Sequence, residues 1–198
     1  MKIKICGIKY DIKEISKLNP DFIGFIFYPK SPRFVGYNFY IPDDIYTYKV
    51  GVFVDEKKEN IINIYNKKKL DFVQLHGKEN IYLCESLFKK KIKIIKSFKI
   101  NNNFSMKILL NYIPFCSYFI FDNNGGSGKK FDWEKLYEYD FDKKFFLSGG
   151  IGLKDINKIK KFFHPKMYGL DINSKFEIYP GKKNKNKIKT FIKKIKSK

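Results

Sequence analysis

A carboxylate that precedes a glycine-rich loop is the feature of this chain with the clearest chemical use. Asp122 follows an apolar run at residues 117–121, and Gly125, Gly126 and Gly128 come shortly after it. Glycine lets the backbone take conformations that other residues avoid, so several N–H groups can converge on an anion. An acid beside an anion cradle predicts a phosphorylated substrate and a proton-transfer step. The same loop sequence is also typical of an ordinary flexible turn, so the surrounding elements must decide.

Short apolar runs alternate with segments of helical spacing along most of the 198 residues. The eight runs, which predict strands, are residues 2–6, 21–28, 48–54, 71–75, 91–98, 117–121, 144–147 and 166–170. The apolar positions with helical spacing are Ile61, Ile64 and Tyr65; Ile81, Leu83 and Leu87; Ile156, Ile159 and Phe163; and Ile188, Phe191, Ile192 and Ile195. Such alternation indicates β-α units and a parallel sheet.

The eight units predict an α/β fold, a single-domain (β/α)8 TIM barrel over residues 1–198. This length lies near the lower limit of about 200 residues for such a barrel. The second unit is reduced, because only residues 41–46 are available for its helix, and we expect one turn or an irregular crossover there. An open doubly wound sheet is the structural alternative. Its glycine fingerprint follows the first strand, whereas the glycine-rich turns here follow the sixth and seventh.

A barrel carries its chemistry on the loops at the C-terminal ends of its strands. The predicted strand ends place these candidates on one rim: Cys6, Arg33, Asp122, the Gly149-Gly150 turn and Asp171. His76 and His164 lie far apart in sequence and form no metal-ligand cluster. Cys84 and Cys116 are interpreted as packing residues. An odd number of cysteines without metal-type spacing argues against a disulfide framework and for a reducing compartment.

Composition raises a competing class of function. Forty-one Lys and Arg against 20 Asp and Glu give a formal net charge of +21, which is typical of nucleic-acid binders. The lysines are spread among Ile, Asn, Phe and Tyr, as an AT-rich genome produces, so we expect no specific nucleic-acid partner. Residues 182–198 keep an apolar stripe and predict a last helix with a solvated basic face. The absence of a signal peptide or a spanning apolar segment predicts a cytoplasmic protein without a membrane partner.

Seven segments, in register with the predicted strands, resemble the phosphoribosylanthranilate isomerase family of tryptophan biosynthesis. They are residues 4–8, 24–28 with 31–33, 50–54, 73–77, 125–133, 147–150 and 180–183. The resemblance implies an Amadori rearrangement of N-(5-phosphoribosyl)anthranilate into 1-(2-carboxyphenylamino)-1-deoxyribulose 5-phosphate. One acid opens the furanose ring and one base removes the proton at the second sugar carbon. The implied reaction needs no metal or redox cofactor, and we expect a monomer or homodimer.

By resemblance, Cys6 is the general base and Asp122 the general acid. A thiol, with a reference pKa of about 8.5, is a usable base when a nearby cation lowers that value. Strand alternation puts Lys4 on the face that carries Cys6, where it either supplies this charge or pairs with a carboxylate deeper in the barrel. Asp122 must be protonated to donate, and a neighbouring phosphate with apolar walls would favour that form.

The resemblance also implies substrate-binding residues. Arg33 would bind the anthranilate carboxylate through its planar fork, although a solvated surface arginine after a proline turn is the alternative. Asp171 would bind a sugar hydroxyl or the anilino nitrogen, and His76 either lines the pocket beside Gln74 or has a structural role in a turn. Phosphate binding is predicted for two glycine turns and the start of a short helix: Gly126, Ser127, Gly128, Gly149, Gly150, Asn173 and Ser174.

Three features depart from the family pattern. The Asn123-Asn124 link between Asp122 and the glycine loop is short, Lys175 stands where the family has glycine, and the second unit is reduced. A lysine does not easily take a left-handed conformation, so Lys175 either distorts the cradle or adds a charge contact to phosphate. A related isomerase of histidine biosynthesis is the nearer alternative function. Its relatives use paired aspartates, one of them at the place where this chain has Cys6.

Overall fold

A closed barrel of eight parallel strands forms the centre of the computed structural model, which describes residues 1–122 and 132–197. The strands are β1 (Lys2–Ile5), β2 (Phe22–Ile26), β3 (Tyr48–Phe53), β4 (Phe72–Leu75), β5 (Ile94–Lys99), β6 (Tyr118–Asp122), β7 (Phe145–Leu147) and β8 (Met167–Ile172). Neighbours in the barrel are neighbours in the chain, and β8 pairs with β1 to close it. Each strand overlaps one of the eight predicted runs, so the predicted TIM barrel is confirmed.

Helical segments connect most of the strands. The α-helices of the described residues are α1 (Ile12–Ser16), α2 (Lys58–Lys67), α3 (Ile81–Lys89), α4 (Ile156–Lys161) and α5 (Lys185–Lys196). The 3₁₀ segments Met106–Asn111 and Trp133–Glu138 stand in for helices after β5 and β6. Within these described ranges, every helix is too short or too polar to cross a membrane.

The end of α4 differs from the predicted apolar spacing. The helix stops at Lys161, and Phe163, expected on its apolar stripe, is 76% exposed. The backbone of Phe162 is extended (ψ 114°), and its ring packs on Trp133 with 5.8 Å between the ring centroids. Burial therefore falls on Phe162, one residue earlier than the helical period predicts.

The second β-α unit is the irregular crossover that its short sequence predicts. Residues 27–47 contain turns and one isolated bridge but no helix. Prolines at positions 29, 32 and 42 interrupt this segment, and each proline removes an N–H donor and restricts the residue before it. Val35, Ile41 and Ile45 are buried in the main core nevertheless. Side chains of the crossover thus cover the barrel where a helix would otherwise pack.

The C-terminal segment contains a short hairpin before its helix. The pair Lys182–Lys183 forms β10, which runs antiparallel to β9 (Glu177–Tyr179). The predicted helix therefore starts later than residue 182, at Lys185, where the Asn184 side chain caps the first turn. Its apolar stripe is confirmed, because Ile188 is fully buried. The hairpin brings two charged side chains to the C-terminal rim of the barrel.

The barrel interior has an apolar floor and a polar layer above it. Six buried side chains form the floor: Phe22, Val50, Phe72, Ile95, Ile120 and Phe146. Because side chains alternate along a strand, the next inward position on four of these strands lies one layer higher. Those positions carry Gln74, Ser97, Asp122 and Ser148. The strand period therefore places four polar groups together, directly above a packed apolar surface.

A buried ion pair on the outside of the barrel wall fixes two loops at this rim. Lys96 Nζ of β5 lies 2.9 Å from Glu79 Oε2, and their side chains are 3% and 1% exposed. Glu79 also accepts hydrogen bonds from the backbone N–H groups of Asp55 and Gly77, both at 3.0 Å. The pair thereby connects the loops after β3 and β4, the second of which carries His76.

Glu79→Gln should lower the free energy of unfolding by about 3–5 kcal/mol, because it leaves the Lys96 ammonium buried without its counter-charge. Urea denaturation followed by circular dichroism measures this change. Asp44→Asn is the matched control. It breaks the Lys13–Asp44 pair, whose side chains are 58% and 59% exposed, and should leave stability unchanged. An equal loss of unfolding free energy in both variants would contradict the expectation that the buried pair stabilises the fold more than the exposed pair.

Candidate active site

A cavity of about 710 Å³ opens at the C-terminal ends of the strands. Every candidate residue within the described ranges lines it: Cys6, Arg33, His76, Asp122, Gly149, Gly150, Asp171, Asn173 and Ser174. The predicted phosphate residues Gly126, Ser127 and Gly128 lie outside the described residues. The strand ends thus gather side chains from both ends of the chain on one surface, as the barrel topology predicts.

Cys6 follows β1 and lies at the wall of this cavity. Its backbone N–H donates to the carbonyl of Ile172 at 2.9 Å, which continues the β1–β8 ladder past the strand end. A Cβ at Gly24 would come within 3.0 Å of Cys6 Sγ, so glycine on β2 leaves room for the thiol. Burial raises the pKa of the Cys6 thiol, and the neighbouring Lys4 ammonium opposes that rise.

Lys4 is the buried cation beneath the thiol. Its Nζ lies 2.9 Å from Asp171 Oδ1, its register partner on β8, and it also interacts with the Cys6 sulfur. Burial alone would lower the pKa of Lys4, but Asp171 and Cys6 outweigh burial and hold that pKa above its ordinary value. Lys4 therefore has both of the positions that the sequence left open: its ammonium pairs with the Asp171 carboxylate and also faces Cys6.

Asp122 is the last residue of β6 and is 9% exposed. Its Oδ2 atom lies 3.4 Å from Ser148 Oγ, just beyond β7, and 3.9 Å from His76 Nε2. The Ser148 hydroxyl and the His76 ring nitrogen therefore both face Oδ2 of this carboxyl group. The distances are longer than those of tight hydrogen bonds, and such contacts in unliganded sites shorten when substrate binds.

His76 lies in the cavity wall and is held by two polar side chains of the barrel interior. His76 Nδ1 lies 3.0 Å from Gln74 Nε2 and 2.9 Å from Ser97 Oγ. Burial lowers the pKa of His76 to about 4. The imidazole is therefore neutral at physiological pH, and of the two roles left open by the sequence its position fits the pocket.

Arg33 is anchored by a carboxylate of the β9–β10 hairpin. Its Nε lies 2.9 and 3.1 Å from Glu177 Oε1 and Oε2, and its Nη2 lies 2.6 Å from Oε2. Lys183 Nζ also contacts Glu177 Oε1 at 2.9 Å. Burial opposes ionisation of Glu177, but Arg33 and Lys183 hold its pKa below the ordinary value. Arg33 is thus not a solvated surface residue, and its Nη1 remains free of hydrogen bonds to the described residues.

The far end of the cavity is formed by the turn after β7 and the segment after β8. Gly149 and Gly150 have φ values of 93° and 68°, a region that strongly favours glycine. The expected short helix is a single 3₁₀ turn, Ser174–Phe176, that begins after Asn173. Lys175 is not among the described non-glycine residues with positive φ. Its backbone therefore takes an ordinary conformation where the family has glycine.

The sequence reading missed three polar groups that hold the site. Glu177 and Lys183 orient Arg33, and Ser97 contacts His76. Their signals were weak but present. Ser97 is a polar residue in an apolar strand, at the inward parity, and Glu177 lies three residues before the Pro180-Gly181 turn that folds the hairpin back. Neither signal identifies the contacting residue, because Arg33 and His76 lie in distant parts of the chain.

A second cleft, of about 790 Å³, lies at the opposite face of the barrel near the starts of β2, β3 and β4. Its carboxylates have structural partners. Asp71 Oδ2 accepts from the Lys49 N–H at 2.7 Å, and Asp21 Oδ2 accepts from the Ile3 N–H at 2.9 Å. Residues at the N-terminal face of such barrels generally serve stability, so we assign the chemistry to the cavity at the other face.

The described residues form a (β/α)8 barrel with a cavity at its C-terminal rim, where a thiol follows β1 and a carboxyl group ends β6. The family model for N-(5'-phosphoribosyl)anthranilate isomerase matches residues 3–194. The chain belongs to this family, and it is an isomerase of tryptophan biosynthesis. The predicted family is confirmed over nearly the whole chain.

Named relatives and solved structures agree with this assignment. The N-(5'-phosphoribosyl)anthranilate isomerase of Parabacteroides distasonis is 39% identical over 206 residues, which cover 98% of this chain and 93% of the relative. A structure of monomers generated from the dimeric Thermotoga maritima isomerase is 31% identical, with a TM-score of 0.85 and full coverage of both chains. A structure of such an isomerase with reduced 1-(o-carboxyphenylamino)-1-deoxyribulose 5-phosphate is 32% identical, with a TM-score of 0.83, 99% coverage of this chain and 98% of the other.

Lys4→Met should raise the pKa of the Cys6 thiol further, because it removes the ammonium that opposes the effect of burial. The thiolate fraction below the pKa falls about tenfold for each unit of that rise. Alkylation of Cys6 by iodoacetamide, followed on its peptide by mass spectrometry, measures the titration. Its inflection should move to higher pH.

Lys2→Met is the matched control for this titration. Lys2 lies on the same strand but pairs with Asp21 at the other end of the barrel, with its side chain 48% exposed. Should Lys4→Met fail to fold, adding Asp171→Asn removes the stranded carboxylate. A smaller rise is then expected, since Lys4 acts on Cys6 more strongly than Asp171. An unmoved inflection would mean that Lys4 serves only the ion pair.

Proposed function

We propose that this chain converts N-(5-phosphoribosyl)anthranilate into 1-(2-carboxyphenylamino)-1-deoxyribulose 5-phosphate, with Asp122 as general acid and Cys6 as general base. Asp122 gives its proton to the furanose oxygen as the bond between that oxygen and the first sugar carbon breaks, which leaves an iminium ion. Cys6 then removes the proton from the second carbon, and the resulting enolamine tautomerises to the ketone.

The observation that carries this assignment is the placement of Cys6 and Asp122 on one cavity, at the ends of β1 and β6, with the Lys4 ammonium against the thiol. Burial favours the protonated thiol while the site is empty. Ring opening creates a cationic iminium in the cavity. A positive charge close to Cys6 favours the thiolate form of its side chain. The same charge acidifies the proton to be removed, so acid and base steps are coupled through the intermediate.

A related isomerase was solved with the reduced product, which supports a substrate of this chemical class for the cavity. The Arg33 fork is held by Glu177 along its Nε–Nη2 edge, which leaves Nη1 for the anthranilate carboxylate. Charge-assisted hydrogen bonds from a guanidinium whose orientation is fixed lose little entropy on binding. Asp171, whose Oδ1 is bound by Lys4, is proposed to bind a sugar hydroxyl or the anilino nitrogen, and His76 to line the substrate pocket beside Gln74.

The phosphate is proposed to lie at the far end of the cavity. Backbone N–H groups would come from the Gly149-Gly150 turn, from Asn173 and Ser174 at the start of the 3₁₀ turn, and from Gly126, Ser127 and Gly128, which lie outside the described residues. Lys175 favours the charge-contact alternative, because its backbone carries no left-handed strain and its side chain lines the same cavity. A lysine in this place adds an ammonium to a cradle otherwise made of backbone groups.

We further propose that the chain is a single-domain cytoplasmic enzyme that works as a monomer or a homodimer. The Thermotoga maritima relative is described as dimeric. Exposed apolar side chains on this chain, such as Tyr40, Tyr46 and Phe163, offer surfaces on which subunits could pack.

Cys6→Ser and Asp122→Asn should each lower kcat by about two to four orders of magnitude, the usual weight of one general acid or base, with small changes in KM. Serine keeps the shape of cysteine but is far too weak an acid to ionise near neutral pH. The assay follows the substrate, generated in place because it is labile, by spectroscopy.

Cys84→Ser and Asp21→Asn are the matched controls, because Cys84 is buried in the core away from the cavity and Asp21 lies at the opposite face. Both should keep the wild-type kcat. A Cys6→Ser enzyme with near wild-type turnover would remove the thiol from the mechanism and leave it a packing role.

Gly150→Val should raise KM about tenfold or more while changing kcat little, because a side chain here would occupy the space next to the N–H groups proposed for phosphate. Steady-state kinetics measure both constants. Gly36→Val is a close control. Both glycines have positive φ, 68° and 83°, and a Cβ at either meets no atom of the described residues within 4 Å, but Gly36 does not line the cavity. Equal rises of KM in Gly150→Val and Gly36→Val would mean that backbone strain alone causes the effect.

A further inference from the structure

We propose that Gln74 and Ser97 hold His76 as a neutral imidazole with its proton on Nε2, so that His76 donates a hydrogen bond to Asp122 as that carboxyl group gives up its proton. Gln74 and Ser97 are positioning residues in this account, and His76 acts on the acid. The proposal rests on the assignment of Asp122 as general acid given above.

Three polar atoms in mutual contact fix the proton position. Gln74 Nε2 lies 3.0 Å from His76 Nδ1 and 3.2 Å from Ser97 Oγ, and Ser97 Oγ lies 2.9 Å from the same Nδ1. An amide nitrogen only donates. We assign His76 Nδ1 as an acceptor, because a proton on it would set two donors, that proton and the Gln74 N–H, against each other across 3.0 Å. A neutral ring that accepts at Nδ1 carries its proton on Nε2.

The opposite orientation of the Gln74 amide would favour the other tautomer, and satisfaction of its polar atoms argues against it. Gln74 is 1% exposed. In the observed orientation both amide hydrogens have acceptors, and only Oε1 is without a partner among the described residues. Rotating the amide would pair Oε1 but strand two buried N–H donors. Leaving two donors unpaired costs more than leaving one acceptor.

Burial, assisted by nearby cations, keeps the His76 ring neutral. Burial lowers the pKa of His76 to about 4; Lys4, Lys96 and Lys99 act in the same direction, and Asp171 acts against them. Asp122 is the carboxyl group that faces Nε2, at 3.9 Å. With cations on several sides, the imidazole stays uncharged over the pH range in which such an enzyme works.

His76 can assist Asp122 as general acid because its ring is neutral. A charged imidazolium 3.9 Å away would favour the carboxylate of Asp122 at all times and would deprive it of the proton that it must donate. A neutral N–H, together with the Ser148 hydroxyl at 3.4 Å, stabilises the carboxylate less strongly. Both contacts have room to shorten as the proton moves to the furanose oxygen, so their gain is largest after transfer.

Nitrogen-15 NMR of the full chain tests the tautomer without reference to activity. The chain has two histidines, and long-range proton–nitrogen correlations distinguish a protonated ring nitrogen from a bare one. His164 is the internal standard: its Nε2 lies 3.1 Å from the Tyr139 carbonyl and its Nδ1 accepts from the Lys166 N–H. We expect both rings to show the Nε2–H pattern at pH 7. An Nδ1–H or doubly protonated His76 would overturn the proposal.

Gln74→Glu connects the tautomer to the reaction. A carboxylate of the same shape accepts from His76 Nδ1, so the His76 spectrum should change to the Nδ1–H pattern while that of His164 stays. We expect kcat to fall about ten- to a hundredfold, the weight of one hydrogen bond to a charged group, with KM little changed. Ser97→Ala should cause a smaller loss that Ser97→Thr restores, since threonine keeps the hydroxyl.

The outcomes separate this proposal from the proposed function. Turnover by the wild type, with an altered tautomer but unchanged kcat in Gln74→Glu, overturns the role of His76 and leaves the isomerase assignment intact. A wild type without turnover overturns the proposed function and the catalytic part of this proposal together. The expected tautomer with the expected loss of kcat supports both.

Discussion

The Lys4–Asp171 ion pair is the interaction on which both the barrel and its chemistry depend. It joins β1 to β8, the two strands that close the barrel, and its side chains are 0% and 6% exposed. Removing two charges from water costs several kcal/mol per ion, so such a pair persists only where geometry is good and each charge has a partner. The same ammonium faces Cys6. One buried cation therefore stabilises the closing seam of the fold and opposes the effect of burial on the thiol.

The positions of the polar groups in the site are well defined because these groups lie one layer above a rigid apolar floor. Phe22 packs edge-on against Phe72 and Phe146, with 5.5 and 5.2 Å between ring centroids. A strand that anchors a ring in this floor has little freedom to slide, and its next inward residue is fixed in height. Gln74 on β4 and Ser148 beyond β7 take their positions in this way. Packing that carries no chemistry itself thus determines hydrogen-bond distances at the rim.

The alternation of apolar runs with segments of helical spacing predicted most of the fold. The positions of residues at the ends of those runs predicted which side chains share the rim. Cys6 and Asp122 were placed correctly from the ends of apolar runs, since strand ends in a parallel barrel meet at one face. The partner of Arg33 was not predictable, because Glu177 reaches it through a hairpin whose three-residue strand leaves no periodic signal. The shift of burial to Phe162 had a similar cause: α4 is six residues long, and its end is decided by packing on Trp133.

Charge is organised in this chain at two scales with different consequences. At the site, the buried cations are paired, Lys4 with Asp171 and Lys183 with Glu177. Lys99 and Lys175 line the cavity and have no ion pair among the described residues. Together with a formal net charge of +21, they make the entrance attractive to an anion that carries both a phosphate and a carboxylate. The lysine excess that suggests a nucleic-acid binder from composition alone therefore also suits the capture of a small polyanion at the rim.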